Sequence, residues 1–456
     1  MRVARIGLCL ALGGATLIVA CTSTSPAPSR PSASGSVEPI STPSPGPGQV
    51  IPAPGSNSGV YKPNPSAIVV AIDPGHGGCL DWGVPNPYDN KVANAEKTIT
   101  LGVGLALKAL LEAQGVTVVM TRTDDSALAG DDYPPLGCTG APFRDVNGDG
   151  ITGFGPKVPE ATRTRDELSA RIDLVNLARA DLLVSIHINS LTQNGVVYKI
   201  AATQTFFTDA FAWVRASNRL ADQVEAAVVS SMAAAATAYH RQDRGTDGSA
   251  PYLYLLKPAG SDPKSPRRGL FMPAILSEVG SLSLKAEGEL LATPAGQQAA
   301  AKGVYNGIAA YLADRQLAGR IDAEVPGGAA GTVPAHAAGT GPPFWAPVLP
   351  PAASGAYHFD LRLVNTGMEA WPSGMQIVAG WGASRGPYLA AAPPGLDALA
   401  GAVPALRPGE SVRMPVTVDV ASGDGRHVLW ITLRIPSGQL FSGLGQPALE
   451  LASAAE

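Results

Sequence analysis

Residues 68–78 read IVVAIDPGHGG, and no other stretch limits the fold of this chain as tightly. Ile68 to Ile72 form a continuous apolar run without alternation, the pattern of a short strand buried on both faces of a parallel sheet. Asp73, Pro74 and Gly75 stop that strand. His76 then stands just past its carboxyl end, between glycines that let backbone approach a ligand closely. Two more runs repeat the arrangement. Leu182 to Ile188 reads LLVSIHI and carries His187, and Ala274 to Val279 reads AILSEV and carries Glu278. An open α/β sheet places its chemistry at the carboxyl ends of its strands, so three such runs point to one shared site.

The intervening sequence supports this layout. Ala95 to Leu111 has Ile99, Val103, Ala106 and Leu110 at helical spacing, opened by Glu96 and Lys97. Val116 to Thr121 is a second buried strand, and strand, helix, strand in succession predicts a parallel sheet with right-handed crossovers. Asp166 to Ala180 reads as a helix with Leu168, Ile172 and Val175 on one face. Phe206 and Phe207 end a further strand, Ser217 to Tyr239 is an Ala-rich helix, and Gly296 to Ala313 is a closing helix. Arg244-Gly245 reads as a turn before the apolar run Tyr252 to Leu256. The expected domain spans 67–316: α/β, a twisted, mostly parallel sheet flanked by helices. Two inserts interrupt it, at 125–164 and 257–269. In the first, Asp145-Val146-Asn147-Gly148-Asp149-Gly150 matches the opening of a calcium loop, with Asp145, Asn147 and Asp149 as its ligands. Its twelfth position is Pro156 where a bidentate Glu is required, so a solvated, turn-rich loop is the competing expectation.

The flanks differ in composition. Arg2, Arg5 and the apolar run Ile6 to Ala20 form a secretory signal too short to span a membrane well. Its end, Leu17-Ile18-Val19-Ala20-Cys21, resembles the bacterial lipobox, which implies cleavage before Cys21 and lipidation of its thiol; an ordinary signal peptide is the alternative. Residues 22–66 are Ser, Pro, Thr and Gly with too few large apolar side chains to fold, hence a disordered tether. A second Gly/Ala/Pro-rich stretch, 317–345, reads as a linker. Residues 346–456 alternate instead, at Tyr357 to Val364 and along Val412, Met414, Val416, Val418 and Val420, which predicts a small all-β sandwich. Its Asn365-Thr366-Gly367 and Trp371-Pro372 resemble Ig-like modules. A net charge of −4 gives no case for nucleic acid as a partner.

Two imidazoles and one carboxylate suit zinc and leave a fourth position for water. His76, Glu96 and His187 supply that set. Glu278 is then free to serve as general base. Taken singly, His76 reads as a turn histidine and Glu96 as a helix-start acid that suits the dipole; only the combination points to metal. Arg244 is a candidate for binding a substrate carboxylate, or for a structural salt bridge. With Cys9 removed and Cys21 lipidated, Cys79 and Cys138 remain, and outside the cytoplasm they are expected to pair. A zinc-ligand role for Cys79 is the alternative.

DPGHGG at 73–78, Glu96-Lys97, TRTDD at 121–125, SIHIN at 185–189 and SEVG at 277–280 together resemble the zinc N-acetylmuramoyl-L-alanine amidases of the Amidase_3 type. The resemblance covers 67–316. It implies a six-stranded sheet, one zinc held by His76, Glu96 and His187, Glu278 as catalytic glutamate, and cleavage between N-acetylmuramic acid and L-alanine in peptidoglycan. Ser281 and Leu284 depart from the family's usual residues after the glutamate. A non-catalytic wall-binding or regulatory protein on the same fold, and a zinc hydrolase of another amide, are the competing functions. The β domain is expected to hold a wall polymer or a protein partner, or to act as a spacer.

Overall fold

The computed structural model describes residues 48 and 50–51 and, from 68 to 453, all but a set of loop segments, the longest being 130–144, 151–163, 258–268, 325–348 and 384–394. Cys21, Cys79, Cys138 and Pro156 lie outside the described residues, as do the signal sequence and most of the tether.

In chain order the elements are β1 (Val50–Ile51), β2 (Val69–Pro74), α1 (Glu96–Glu112), β3 (Thr117–Met120), α2 (Arg165–Leu177), β4 (Leu182–Asn189), β5 (Thr192–Gln193), β6 (Val196–Val197), β7 (Ala201–Phe206), α3 (Val214–Ala235), β8 (Arg241–Asp247), β9 (Ala274–Ser281), α4 (Lys285–Leu291) and α5 (Pro294–Ala313). The β domain follows with β10 (Gly319–Glu324), β11 (Ala356–Asn365), β12 (Gln376–Ala383), β13 (Asp397–Ala398), β14 (Ser411–Asp419), β15 (His427–Arg434) and β16 (Leu449–Ala452).

The first domain is a six-stranded sheet in the order β3-β2-β4-β9-β7-β8. Neighbours run parallel except β7 and β9, which are antiparallel. Alternation sorts each strand's apolar residues between two faces. Val70, Ile72, Val184, Ile186, Ile275 and Val279 bury against α1, α3 and α5. Val69, Ala71, Leu183, Ala274 and Leu276 bury against Ile172 and Val175 of α2 and against Leu255 and Leu256. Of the expected run Tyr252 to Leu256, the described residues Leu253 to Leu256 contribute apolar side chains, the last three from a short 3-10 turn, Tyr254–Leu256.

Arg244 and Gly245 do not form a free turn. They lie inside β8, an edge strand whose sequence, RQDRGTD, is polar throughout and so lacks the apolar alternation of a strand. A bulge interrupts its pairing with β7 between Thr203 and Thr205, and Gly245 absorbs it at φ 68°, a conformation that few residues other than glycine adopt.

Beneath this edge, Glu225 of α3 accepts a hydrogen bond from Thr205 Oγ1 at 2.7 Å. Burial, reinforced by the nearby Asp243, raises its pKa to about 7. A carboxyl whose folded pKa is raised holds its proton longer in the native state than in the unfolded chain, so stability falls as pH rises from about 4.5 to about 7. Glu225→Gln is expected to flatten this part of the melting-temperature profile. An unchanged slope between pH 4.5 and 7 would assign the dependence to other groups.

In the C-terminal region two antiparallel four-stranded sheets form, β1-β14-β11-β10 and β13-β12-β15-β16. Tyr357, Phe359, Leu361 and Leu363 alternate into a core with Val412, Val416, Leu429, Ile431 and Leu433. Two boundaries of the sequence analysis need correction. Residues 319–324, placed there in the linker, are β10 and pair with β11 along its whole length, from Gly319 opposite Asn365 to Glu324 opposite Asp360. Among the described side chains of the segment GRIDAE, Ile321 is the one deeply buried large apolar group, which is too little to stand out as a strand. Within the tether, Val50 and Ile51 pair with Val412 and Ser411 at the edge of the same sheet.

A buried junction joins the two domains at the amino-terminal end of the first sheet. Asp181, just before β4, accepts from Val69 N at 2.8 Å through Oδ2 and from Arg315 at 3.0 Å through Oδ1. Arg315 also donates to the carbonyl and hydroxyl oxygens of Thr366. Trp371, fully buried, donates to the carbonyl of Ala318 at 2.9 Å. Thr366, Gly367 and Trp371 therefore face residues 315–318, just after α5. His187 lies toward the other end of β4 from this junction.

Candidate metal centre

His76 sits where β2 has ended, with φ 62°, left-handed backbone that a histidine adopts only under constraint. Two buried arginines supply the constraint. Arg171 of α2 donates to the carbonyls of Pro74 at 2.9 Å and His76 at 2.7 Å, and to Asp73 Oδ1 at 2.7 Å. Arg122, after β3, donates to the carbonyls of Pro74, Gly75 and Lys97 at 2.9, 3.0 and 2.6 Å. The loop's carbonyls thus have charged donors in place of water. Burial opposes ionisation of Asp73, but Arg171, Ser185 and Thr121 outweigh it and hold its pKa at about 2. At Gly75 a Cβ would lie 2.4 Å from the His187 ring, so only glycine lets the loop and β4 come this close.

Glu96 opens α1 fully inside the protein, 2 % exposed. Its Oε1 lies 3.1 Å from His187 Nδ1 and accepts from Ile188 N at 2.9 Å. Its Oε2 lies 3.2 Å from His76 Nε2 and accepts from Val84 N at 2.7 Å. Although burial opposes it, His76 and His187 keep this carboxyl below the usual range. The two imidazoles meet edge to face, ring centroids 4.8 Å apart. One ligand atom from each of His76, Glu96 and His187 falls within 4.8 Å of the others, and no other grouping of three such residues does so among the described residues.

Asp81 completes the surroundings. Its Oδ1 lies 2.7 Å from His76 Nδ1 and accepts from Gly83 N at 3.3 Å. A carboxylate on one ring nitrogen fixes the tautomer and aims the other, Nε2, at the cluster. Asp81 does not stand out in the sequence. The available signal was a carboxylate within the same loop, five residues after the histidine.

Glu278 stands beside His187 in the register of β4 and β9. Burial first, then the nearby Glu96, push its carboxyl well above the ordinary value. Its Oε2 is buried with no hydrogen-bond partner among the described residues. An orphaned carboxylate oxygen next to two imidazoles and a carboxylate is a donor set that fits zinc and a water.

Arg244 lies two strands from Glu278, on β8, away from the ligand cluster. The calcium expectation finds no support. Asp145 accepts the amides of Asp149 and Gly150 at 3.1 and 2.8 Å, and Asn147 Oδ1 accepts Asp149 N at 3.0 Å. The loop's side-chain oxygens hold the loop's own turns.

A mostly parallel sheet presenting two histidines and two glutamates from its strand ends and first helix defines a hydrolase-type site of the amidase class. The chain belongs to the Amidase_3 family, N-acetylmuramoyl-L-alanine amidase, whose model matches residues 70–310, and it is an enzyme of that class. The germination-specific N-acetylmuramoyl-L-alanine amidase of Bacillus subtilis (strain 168) is 25% identical over 264 residues, 57% of this chain and 87% of that protein. Among solved structures, the CwlD amidase from Clostridioides difficile in complex with the GerS lipoprotein is 24% identical, covering 54% of this chain and 98% of that one with a TM-score of 0.38. AmiC2 of Nostoc punctiforme, an N-acetylmuramoyl-L-alanine amidase, is also 24% identical, covering 54% and 97% with a TM-score of 0.35.

Proposed function

We propose that the chain is a zinc-dependent hydrolase that cuts the amide between N-acetylmuramic acid and L-alanine in peptidoglycan. The observation that carries this is the convergence of His76, Glu96 and His187 beside the Oε2 of Glu278, which has no hydrogen-bond partner among the described residues. His76, Glu96 and His187 hold the metal, Asp81 orients His76, and Glu278 remains outside the ligand set. When bound, zinc lowers the pKa of water to about 7 and polarises an amide carbonyl. Glu278 accepts the proton of the attacking water at a carboxylate oxygen. It returns that proton to the leaving amine of L-alanine as the C–N bond breaks. Loss of a ligand or of the base would favour the non-catalytic alternative, and all four residues are retained.

Zinc is expected at about one per chain, as a three-residue site predicts. His76→Ala and His187→Ala should each lower metal content and hydrolysis together. Full metal content in both variants would make these histidines structural.

The domain plan follows the sequence with the two corrected boundaries: signal 1–21, tether, amidase domain 67–316, and a C-terminal Ig-like β-sandwich that includes β10. Lipidation at Cys21 anchors the protein to the membrane on the outer, wall-facing side. A Cys79–Cys138 disulfide ties the first insert to the rim of the site. The β domain holds a wall polymer or a protein partner, or spaces the enzyme from its anchor. Mass analysis of protein from its own envelope tests the two cysteine assignments. It should find a lipid-modified Cys21 at the mature N-terminus and Cys79 joined to Cys138. An unmodified N-terminus refutes the anchor, and recovery of both thiols free refutes the disulfide.

A further inference from the structure

The sheet register extends the site beyond the metal cluster. Glu278 of β9 stands opposite His187 on one side and opposite Gln204 of β7 on the other. The faces can be assigned. Thr205 Oγ1 donates to Glu225 of α3 and lies 3.3 Å from Ser277 Oγ, so Thr205 and Ser277 point to the α3 side. Alternation sends their neighbours Gln204 and Glu278 to the opposite side, where Leu276 and Phe206 pack. The bulge carries the row one strand further. Asp243 stands opposite Thr203 and Thr246 opposite Thr205, which leaves Arg244 and Gly245 facing the single residue Gln204. Thr246 Oγ1 donates to Asp222 of α3 at 2.8 Å, so Asp243 and Thr246 both face α3. The extra residue is Gly245, and Arg244 shares the face of Gln204. Bulges beside active sites re-aim a side chain in this way.

His187, Glu278, Gln204 and Arg244 therefore form one row across four adjacent strands. Strands lie about 4.8 Å apart, which puts the Arg244 backbone roughly 10 Å from that of Glu278. Gln204 and Arg244 are both half-buried. Among the described residues Arg244 has no ion-pair partner, so its guanidinium is not committed to a structural salt bridge there.

We propose that Gln204 and Arg244 form the peptide-side subsite of the enzyme: Arg244 binds a carboxylate on the peptide just beyond the scissile bond, and Gln204 hydrogen-bonds the peptide group between. This deepens the amidase reading above and rests on it. A guanidinium pairs with a carboxylate in a bidentate fork, and an amide side chain both donates to and accepts from a peptide group. The row thus places proton transfer, peptide recognition and charge recognition along one line.

Two soluble probes test it with the zinc-loaded full chain: an N-acetylmuramoyl peptide with a free carboxylate on its second residue, and the same compound as the carboxamide. The wild type should favour the carboxylate by roughly 10–100-fold in kcat/KM, the range of one charged hydrogen-bonding contact. Arg244→Gln should erase that preference, mostly through KM, and Arg244→Lys should restore part of it. Gln204→Ala should raise KM for both probes. Equal handling of the two probes by the wild type, or a preference that survives in Arg244→Gln, would overturn the subsite while leaving the amidase reading intact. Cleavage of neither probe by zinc-loaded wild type would overturn that reading and the subsite with it.

Discussion

Glu278→Gln should lower kcat by roughly 10²–10⁴, the loss typical of a positioned base, while zinc content and melting temperature stay near those of the wild type. The glutamine keeps the size of the side chain but cannot take a proton. The loss should fall on kcat more than on KM, because the interaction removed belongs to the transition state. Metal content and hydrolysis measured on one preparation separate base from ligand. Near wild-type hydrolysis would reject Glu278 as the base. Loss of zinc would make Glu278 a ligand and require a new role for Glu96.

The largest effect on stability is expected at Arg171, which has no contact with the substrate in this account. Arg171→Met should cost about 3–5 kcal/mol, the usual penalty for removing one partner of a buried ion pair. Asp73 and Glu167 would lose their guanidinium, and the carbonyl of His76 would lose its donor. Glu167 also accepts the amides of Leu128 and Ala129, both at 2.7 Å, so one residue links the first insert to the His76 loop through Arg171. Chemical denaturation checks the cost. A change under about 1 kcal/mol, in the range of an exposed pair, would mean the network relaxes around the gap.

Much of the site was legible in the sequence because parallel strands announce themselves. Val69–Pro74, Leu182–Asn189 and Ala274–Ser281 are buried strands that open on apolar runs, and their chemistry-bearing residues fall in or just past their carboxyl-terminal halves. Glu96 stands out only in combination with the two histidines, since a helix-start acid is ordinary by itself. What stayed hidden was polar. Arg122 and Arg171 are 3 % and 2 % exposed, yet an arginine buried by a tertiary network looks in sequence like one on a solvated face. β8 carries no apolar alternation, because an edge strand can keep polar side chains on both sides. α4 has seven residues, Lys285–Leu291, too few for a helical period to emerge. The row through Gln204 depends on register and a bulge, which only the folded sheet specifies.

The most direct test of the account is digestion of purified peptidoglycan by the zinc-loaded protein, with mass analysis of what is released. Free stem peptides beginning with L-alanine, together with glycan whose N-acetylmuramic acid carries a bare lactyl carboxylate, are the expected products. Released fragments that still join muramic acid to the peptide, or no release at full zinc content, would contradict it.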